Sequence, residues 1–383
     1  MKWTNKGHEY DAEYKEIKGK KAYYLFGAGD YGRQFLNIFK DEIQIRGFID
    51  NSEEKQGKAI NGYTCYSLDQ IQLSEDEGIV LTMSQIARIT PCEQLKQHGY
   101  REREDFFVLE EFLSVYYVYK YDKIYFSSIS FLPSTICNLK CRHCLNFNPF
   151  AKQFYVREWE ALVKDVDLFF SCIDRIMIFH ISGGEPMLYK HTVDLIEYID
   201  KNYGDRIDTL RTITNGTIVP KDEDLIRISK CRVELVIDDY REAVPRYNDQ
   251  FHVLTQKLQE FGIRFYINKA DNWIDLAPER TDYSCWTEEA LEKHRSDCCQ
   301  SWQELRDGKL YNCNYAAYAS VAGIGGEQDQ EETYELKTFS AEKKKELVEF
   351  RLGYTTKGYT NFCRKCRGFT PENFEMVAPA VQV

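Results

Sequence analysis

The sequence predicts an α/β chain of alternating strands and helices that ends in a cysteine-rich tail. Three observations carry this expectation. Short runs rich in β-branched and aromatic residues alternate with segments of helical period, first over residues 20–115 and again over 121–275. Such βα repetition implies parallel sheets with helices outside them. Beyond residue 280 the alternation stops and cysteines come in close groups instead. A chain of 383 residues has room for roughly two or three domains. The divisions expected are 1–115, 121–275 and 280–383.

Residues 21–26 read as a strand that runs into Gly27-Ala28-Gly29-Asp30-Tyr31-Gly32. A helix follows, with Tyr31, Phe35, Ile38 and Phe39 expected on its buried face. The next strand, 45–49, ends at Asp50. Strand, Gly-x-Gly-x-x-Gly, helix, strand and acidic residue form a nucleotide-binding pattern, which makes Gly27, Gly29, Gly32 and Asp50 candidate contacts. A strand at 78–82 and a helix near 92–98 complete this part. Phe48-Ile49-Asp50-Asn51, Lys55-Gln56-Gly57 and Asn61-Gly62-Tyr63 resemble the small Rossmann-like domains of polysaccharide and nucleotide-sugar enzymes. At about 95 residues only one mononucleotide half is present. A nucleotide-bearing ligand or a docking role is therefore expected rather than NAD.

The strand at 124–131 leads into Cys137-Asn138-Leu139-Lys140-Cys141-Arg142-His143-Cys144. Three thiolates can hold three corners of an iron–sulfur cubane and leave one iron open. A zinc site completed by His143 or a distant residue is the alternative. Helices are expected at 158–170, 191–202, 222–230 and 250–261. Strands are expected at 176–181, 209–213, 232–237 and 263–267. The first of these strands runs straight into Ser182-Gly183-Gly184-Glu185-Pro186. Cysteine motif and glycine motif, in this order, resemble the radical S-adenosylmethionine (SAM) superfamily. The resemblance implies a partial (β/α)6 barrel with its active site at the strands' C-terminal ends. It also implies a [4Fe-4S] cluster on Cys137, Cys141 and Cys144, with SAM on the open iron. Gly183, Gly184, Glu185 and Pro186 would then contact the cofactor, as would Asn215 after the following strand. Asp238 and Asp239 are either substrate contacts or solvated turn residues, and His180 either faces the cavity or sits in the core.

In the tail, Cys298 is followed by nine residues, Gly308, four residues and Cys313, with Cys363 and Cys366 further on. Four soft thiolates imply a closed metal site, zinc or iron–sulfur. The spacing resembles the twitch form of the SPASM-type auxiliary-cluster extension of the radical SAM family, which implies one auxiliary [4Fe-4S] cluster. Cys299 is the alternative to Cys298. Of the other cysteines, Cys65, Cys92, Cys172 and Cys231 read as apolar core. Cys285 is a candidate hydrogen-atom donor.

Composition narrows the function classes. Net charge is −11, which disfavours nucleic acid as a partner. No apolar run approaches a membrane span. Thirteen cysteines, an odd and clustered set, point to a reducing cytoplasmic setting. The resemblance implies a flavodoxin- or ferredoxin-type reductant and a 5′-deoxyadenosyl radical that abstracts hydrogen. The expected reaction is oxidation or epimerisation of a sugar, cyclitol or nucleotide-sugar. Maturation of a ribosomally made peptide is the alternative enzyme reading, and a zinc-stabilised scaffold or regulator is the non-enzyme one.

Overall fold

A computed structural model of the chain describes residues 1–85, 87–269, 271–300, 302–325, 330–373 and 375–383. The elements begin with α1 (Asp11–Gly19), β1 (Ala22–Phe26), α2 (Asp30–Phe39), β2 (Gln44–Ile49), β3 (Ala59–Ile60), β4 (Tyr63–Tyr66) and β5 (Glu77–Leu81). Next come α3 (Ile89–Gln97), β6 (Phe106–Val108), α4 (Leu109–Tyr121), β7 (Tyr125–Phe131), α5 (Trp159–Cys172), β8 (Arg175–Ile181) and α6 (Thr192–Tyr203). They continue through β9 (Ile207–Thr214), α7 (Asp222–Ile228), β10 (Val233–Asp238), α8 (Asn248–Glu260), β11 (Phe265–Asn268) and β12 (Trp273–Ile274). The tail holds α9 (Glu288–Asp297), β13 (Glu304–Arg306), β14 (Lys309–Tyr311), α10 (Asn314–Ala322), β15 (Thr333–Glu335), α11 (Lys344–Arg351) and β16 (Met376–Val377).

The chain divides into two compact units. One comprises Thr4–Ser127 and Glu342–Leu352, the other Met1–Trp3, Ser128–Ala341 and Gly353–Val383. Residues 342–352, which lie within the expected tail segment 280–383, thus belong with the N-terminal part, where α11 packs on α4. The rest of the tail shares a unit with the strands at 128–268.

In the N-terminal unit the sheet runs β3-β4-β2-β1-β5-β6, with β1 parallel to both β2 and β5. Helix α2 buries Gly32, Phe35, Leu36 and Phe39, a strict i, i+3, i+4, i+7 stripe. Phe35 and Phe39 are buried as expected, and Gly32 and Leu36 are buried in place of Tyr31 and Ile38, which stay partly exposed.

In the second unit eight strands form one sheet in the order β11-β10-β9-β8-β7-β13-β14-β15, and β12 and β16 pair antiparallel in a separate two-stranded sheet. Helices α5 to α8 separate β7, β8, β9, β10 and β11 along the chain. The pairs β8/β9, β9/β10 and β10/β11 are parallel. The strand expected at 263–267 begins two residues later, because Ile263 still caps α8: its N–H donates to the Leu258 carbonyl 2.9 Å away. Hairpin β13–β14 turns at Asp307 and Gly308, both at positive φ (55° and 74°), which accounts for the glycine between Cys298 and Cys313. The backbone N–H groups of both turn residues donate to the Asp165 carboxylate at 2.7 Å. Among the described residues no helix is long and apolar enough to cross a membrane.

Candidate active site at the strand ends

Strands β7, β8, β9 and β10 end at one edge, where the Ser182 N–H donates to the Phe131 carbonyl. The cysteine loop after β7 and the glycine loop after β8 are laced together there. Gly184 N–H donates to Ser134 O (3.0 Å) and Glu185 N–H to Ile136 O (2.6 Å), while the Asn146 amide donates to Gly183 O. A Cβ on Gly184 would collide with the carbonyls of Thr135 and Ile136. Glycine is thus required at 184 for the close approach of two backbones.

Glu185 is 1 % exposed. Its Oε1 accepts from Thr214 Oγ1 (2.8 Å) and Met187 N–H (3.0 Å), and its Oε2 accepts from Asn215 N–H (2.7 Å). Burial still raises its pKa to about 7 against these three donors. A carboxylate offers about four lone-pair sites, so one acceptor position remains for an ammonium. The carboxylate also locks the glycine loop to the end of β9. Asn215 in turn reaches back, its Nδ2 lying 3.1 Å from Asn138 Oδ1 and 3.8 Å from Cys137 Sγ. Pro186 is buried and starts a short 3-10 turn.

Cys137, Cys141 and Cys144 share an apolar shell with Leu139, Tyr240, Val244, Trp273 and Ala380. Burial pushes the Cys137 thiol to about 12 and that of Cys141 to about 11, and raises Cys144 as well. Each sulfur meets donors: Leu139 N–H at Cys137 (3.4 Å), Gln382 Nε2 at Cys141 (3.3 Å), and backbone N–H groups of Asn146, Phe147 and Asn148 at Cys144. His143, the alternative zinc ligand, has Nδ1 3.4 Å from Asp275 Oδ1.

In the tail, Cys298, Cys313, Cys363 and Cys366 bear on one another electrostatically. Cys298 accepts from Phe369 N–H and Cys366 from Gly368 N–H, both at 3.3 Å, and Thr360 Oγ1 lies 3.3 Å from Cys363 Sγ. Cys299 N–H instead pairs with Phe369 O. Burial raises the Cys313 thiol to about 12. Beside them lies Arg295, 6 % exposed; burial opposes its charge, but the four thiols outweigh it and the guanidinium is held above its ordinary value. No cysteine or glycine spacing signals Arg295, which only the helix α9 brings into place. Among the described residues, no three His, Cys, Asp or Glu side chains converge to hold a single metal ion. Both cysteine sets consist of soft donors met by N–H groups, the chemistry that suits iron–sulfur ligation.

The remaining candidates spread over other surfaces. Cys285 is exposed on a cavity of about 1020 Å³ whose described lining comes from residues 283–297 and 367–375. Gly27 and Gly29 form the turn after β1, and Gly32 lies in the first turn of α2. Asp50, the expected ribose contact, spends both oxygens internally, accepting from Ala28 N–H (3.0 Å), Lys55 Nζ (2.9 Å) and Ser52 N–H (2.9 Å). Asp238 takes Tyr240 and Asn268 as donors, and Asp239 pairs with Arg241.

His180 marks the inner face of the sheet. Its neighbour Phe179 packs on Phe169 and Phe170 of α5, so His180 points the other way. Across the strands His180 sits opposite Arg211, Arg211 opposite Glu234, and the Arg211 guanidinium lies over the Tyr266 ring. Arg211 Nε and Nη2 both donate to Glu234 Oε2, at 3.0 and 2.8 Å. Trp302 meets His180 edge-on at 5.8 Å. Burial first, then Arg211, lowers the His180 pKa to about 3, so the ring is neutral.

Residues 131–260 match the family model of the Radical SAM superfamily, and residues 19–105 match the C2185-like N-terminal family. Over 83 residues the chain is 32 % identical to the GTP 3′,8-cyclase of Erythrobacter litoralis (strain HTCC2594). That match takes in 21 % of this chain and 24 % of the cyclase, so the chain spans about a quarter of that curated relative. Among solved structures, native anSMEcpe with bound AdoMet and Kp18Cys peptide is similar at 15 % identity and a TM-score of 0.39, over 66 % of this chain and 93 % of that one. BtrN in complex with AdoMet and 2-DOIA is similar at 13 % identity and a TM-score of 0.36, over 66 % and 98 %. The segment that matches the Radical SAM superfamily model contains the cysteine loop, the glycine loop and the strand ends that carry them.

Proposed function

We propose that the chain is a radical SAM enzyme that oxidises a hydroxyl-bearing carbon of a sugar, cyclitol or nucleotide-sugar. The observation that carries this reading is the lacing of the Cys137–Cys144 loop to Gly183-Gly184-Glu185 at the strand ends. Cys137, Cys141 and Cys144 would hold the catalytic [4Fe-4S] cluster. Gly183, Gly184, Pro186, Asn215 and the spare lone pair of Glu185 would hold SAM. Bound together, cluster and SAM supply a 5′-deoxyadenosyl radical when a flavodoxin- or ferredoxin-type donor delivers an electron. Cys298, Cys313, Cys363 and Cys366 would hold one auxiliary [4Fe-4S] cluster, suited to take the electron that alcohol oxidation releases.

The inner-face row supports a neutral, hydroxylated substrate. Arg211 is already neutralised by Glu234, and His180 is uncharged, so the row offers hydrogen bonds without net charge. Trp302 and Tyr266 add apolar faces for ring C–H groups. Cys285 lines a cavity that shares no described residue with either loop, which favours oxidation over thiol-mediated epimerisation. In the N-terminal unit, Asp50 keeps one acceptor position beside its bonds to Ala28, Ser52 and Lys55, so the unit serves in nucleotide binding or in docking. The test is anaerobic turnover with candidate sugars and cyclitols deuterated at each carbinol position. Deuterium should appear in 5′-deoxyadenosine with one equivalent of ketone. Deuterium transfer from a precursor peptide, with none from any polyol, would overturn the substrate class.

A further inference from the structure

Segment 380–383 runs beside the cysteine loop like an added strand. Arg142 N–H donates to Val381 O (2.7 Å), Val383 N–H donates to Lys140 O (2.9 Å), and Lys140 N–H donates to the Gln382 side-chain Oε1 (2.8 Å). Ala380 is fully buried against Leu139, Cys141 and Tyr240. The Gln382 amide has two N–H groups, and Nε2 lies within reach of two acceptors: the Ala380 carbonyl at 2.6 Å and Cys141 Sγ at 3.3 Å. Cys137 and Cys144 draw donors from their own loop. Cys141 draws its donor from a side chain 241 residues away.

We propose that Gln382 is a positioning residue that tunes the catalytic cluster, its amide raising the cluster's reduction potential through the hydrogen bond to Cys141 Sγ. The inference rests on the reading of Cys141 as a cluster ligand. An N–H donor draws electron density from a ligating thiolate and so favours the more negative, reduced cluster, and hydrogen bonds to sulfur are among the factors that set iron–sulfur potentials. The same amide holds the loop in register through Lys140.

The two roles separate in a pair of variants. Gln382→Glu keeps the shape and an acceptor for Lys140 N–H but removes the donor to Cys141 and Ala380 and adds a negative charge, for which the neutral Gln382→Leu is the control. Gln382→Leu removes all three side-chain bonds, to Lys140, Ala380 and Cys141. The full chain, reconstituted with iron and sulfide, is titrated anaerobically by electron paramagnetic resonance, following the cluster signal that changes on adding SAM. At a fixed ambient potential, Gln382→Glu should lower the reduced-to-oxidised ratio of that cluster about tenfold, ~59 mV for one electron. The signal indifferent to SAM should keep its midpoint. Gln382→Leu should shift in the same direction and also lose iron faster to a chelator. An unchanged midpoint in Gln382→Glu overturns the tuning role, even if Gln382→Leu fails to hold iron. A missing SAM-responsive signal in the unaltered protein overturns both this inference and the assignment of Cys141. A normal SAM response with an unchanged midpoint in both variants overturns the inference alone.

Discussion

Glu304 on β13 is fully buried, with Oε1 accepting from Leu132 N–H at 2.8 Å and Oε2 unpartnered. Desolvation, partly offset by Arg306, raises its pKa from 4.5 to about 8. Its contribution to stability is therefore fully present below pH 4.5 and is lost as pH rises through about 8. Across that window the loss is on the order of 5 kcal/mol, at about 1.4 kcal/mol per pKa unit. Urea denaturation at pH 6 and pH 9 checks this: Glu304→Gln should flatten the decline seen in the unaltered chain. An equal decline in the variant would place the titration elsewhere. Thr214 makes a complementary case, since its hydroxyl donates to the buried Glu185 carboxylate. Thr214→Val should cost about 1.5–3 kcal/mol, the range for a hydrogen bond to a charged group, and should weaken SAM retention on equilibrium dialysis. Glycines 183 and 184 were legible in the chain as a motif, but the partners that fill Glu185 were not. Two of its three partners, Thr214 and Asn215, come from β9 and the turn after it, and no local spacing couples them to a loop some thirty residues earlier.

Among the elements, the turn after β8 carries the greatest steric demand. Gly184→Ala would drive a methyl group into two backbone carbonyls of the cysteine loop, neither of which is a flexible side-chain end. Overpacking of this kind costs about 1–3 kcal/mol. The variant should incorporate less iron than the unaltered chain, measured as iron per chain after reconstitution; full incorporation would mean the loops can part freely. Helix α10 carries a further tie. Its Tyr318 hydroxyl bonds Ser130 near the end of β7 and Ser182 after β8 (3.1 Å to the latter), and Cys313 is its N-cap. One helix thus joins the tail cysteines to the strand ends. Periodicity exposes the βα repeats well, because alternating burial leaves a hydrophobic pattern in each element. On α2 it placed Phe35 and Phe39 correctly but took Tyr31 and Ile38 where Gly32 and Leu36 are buried, since Ile38 is as apolar as Leu36.

At the scale of the whole molecule the two cysteine sets have separable consequences. Cys363→Ala should leave reductive cleavage of SAM intact while abolishing net substrate oxidation, scored as 5′-deoxyadenosine formed against ketone formed. Normal ketone yield would make the tail site structural. Replacing Cys137, Cys141 and Cys144 together by Ala should leave about four irons of about eight, the content of one cubane, with no 5′-deoxyadenosine.

The sequence by itself determined the ligand chemistry: which cysteines come close along the chain, which glycine loop follows which strand, and that strands and helices alternate. Those are short-range properties, written in spacing and period. Tertiary structure alone decided that Glu185 is a buried strut, that Asp50 is tied to Ala28, Ser52 and Lys55, that Arg295 lies beside the tail thiols and that Gln382 reaches Cys141. Each joins residues that only a folded sheet and its crossovers bring together. The energy of each contact depends on burial, which no linear spacing encodes.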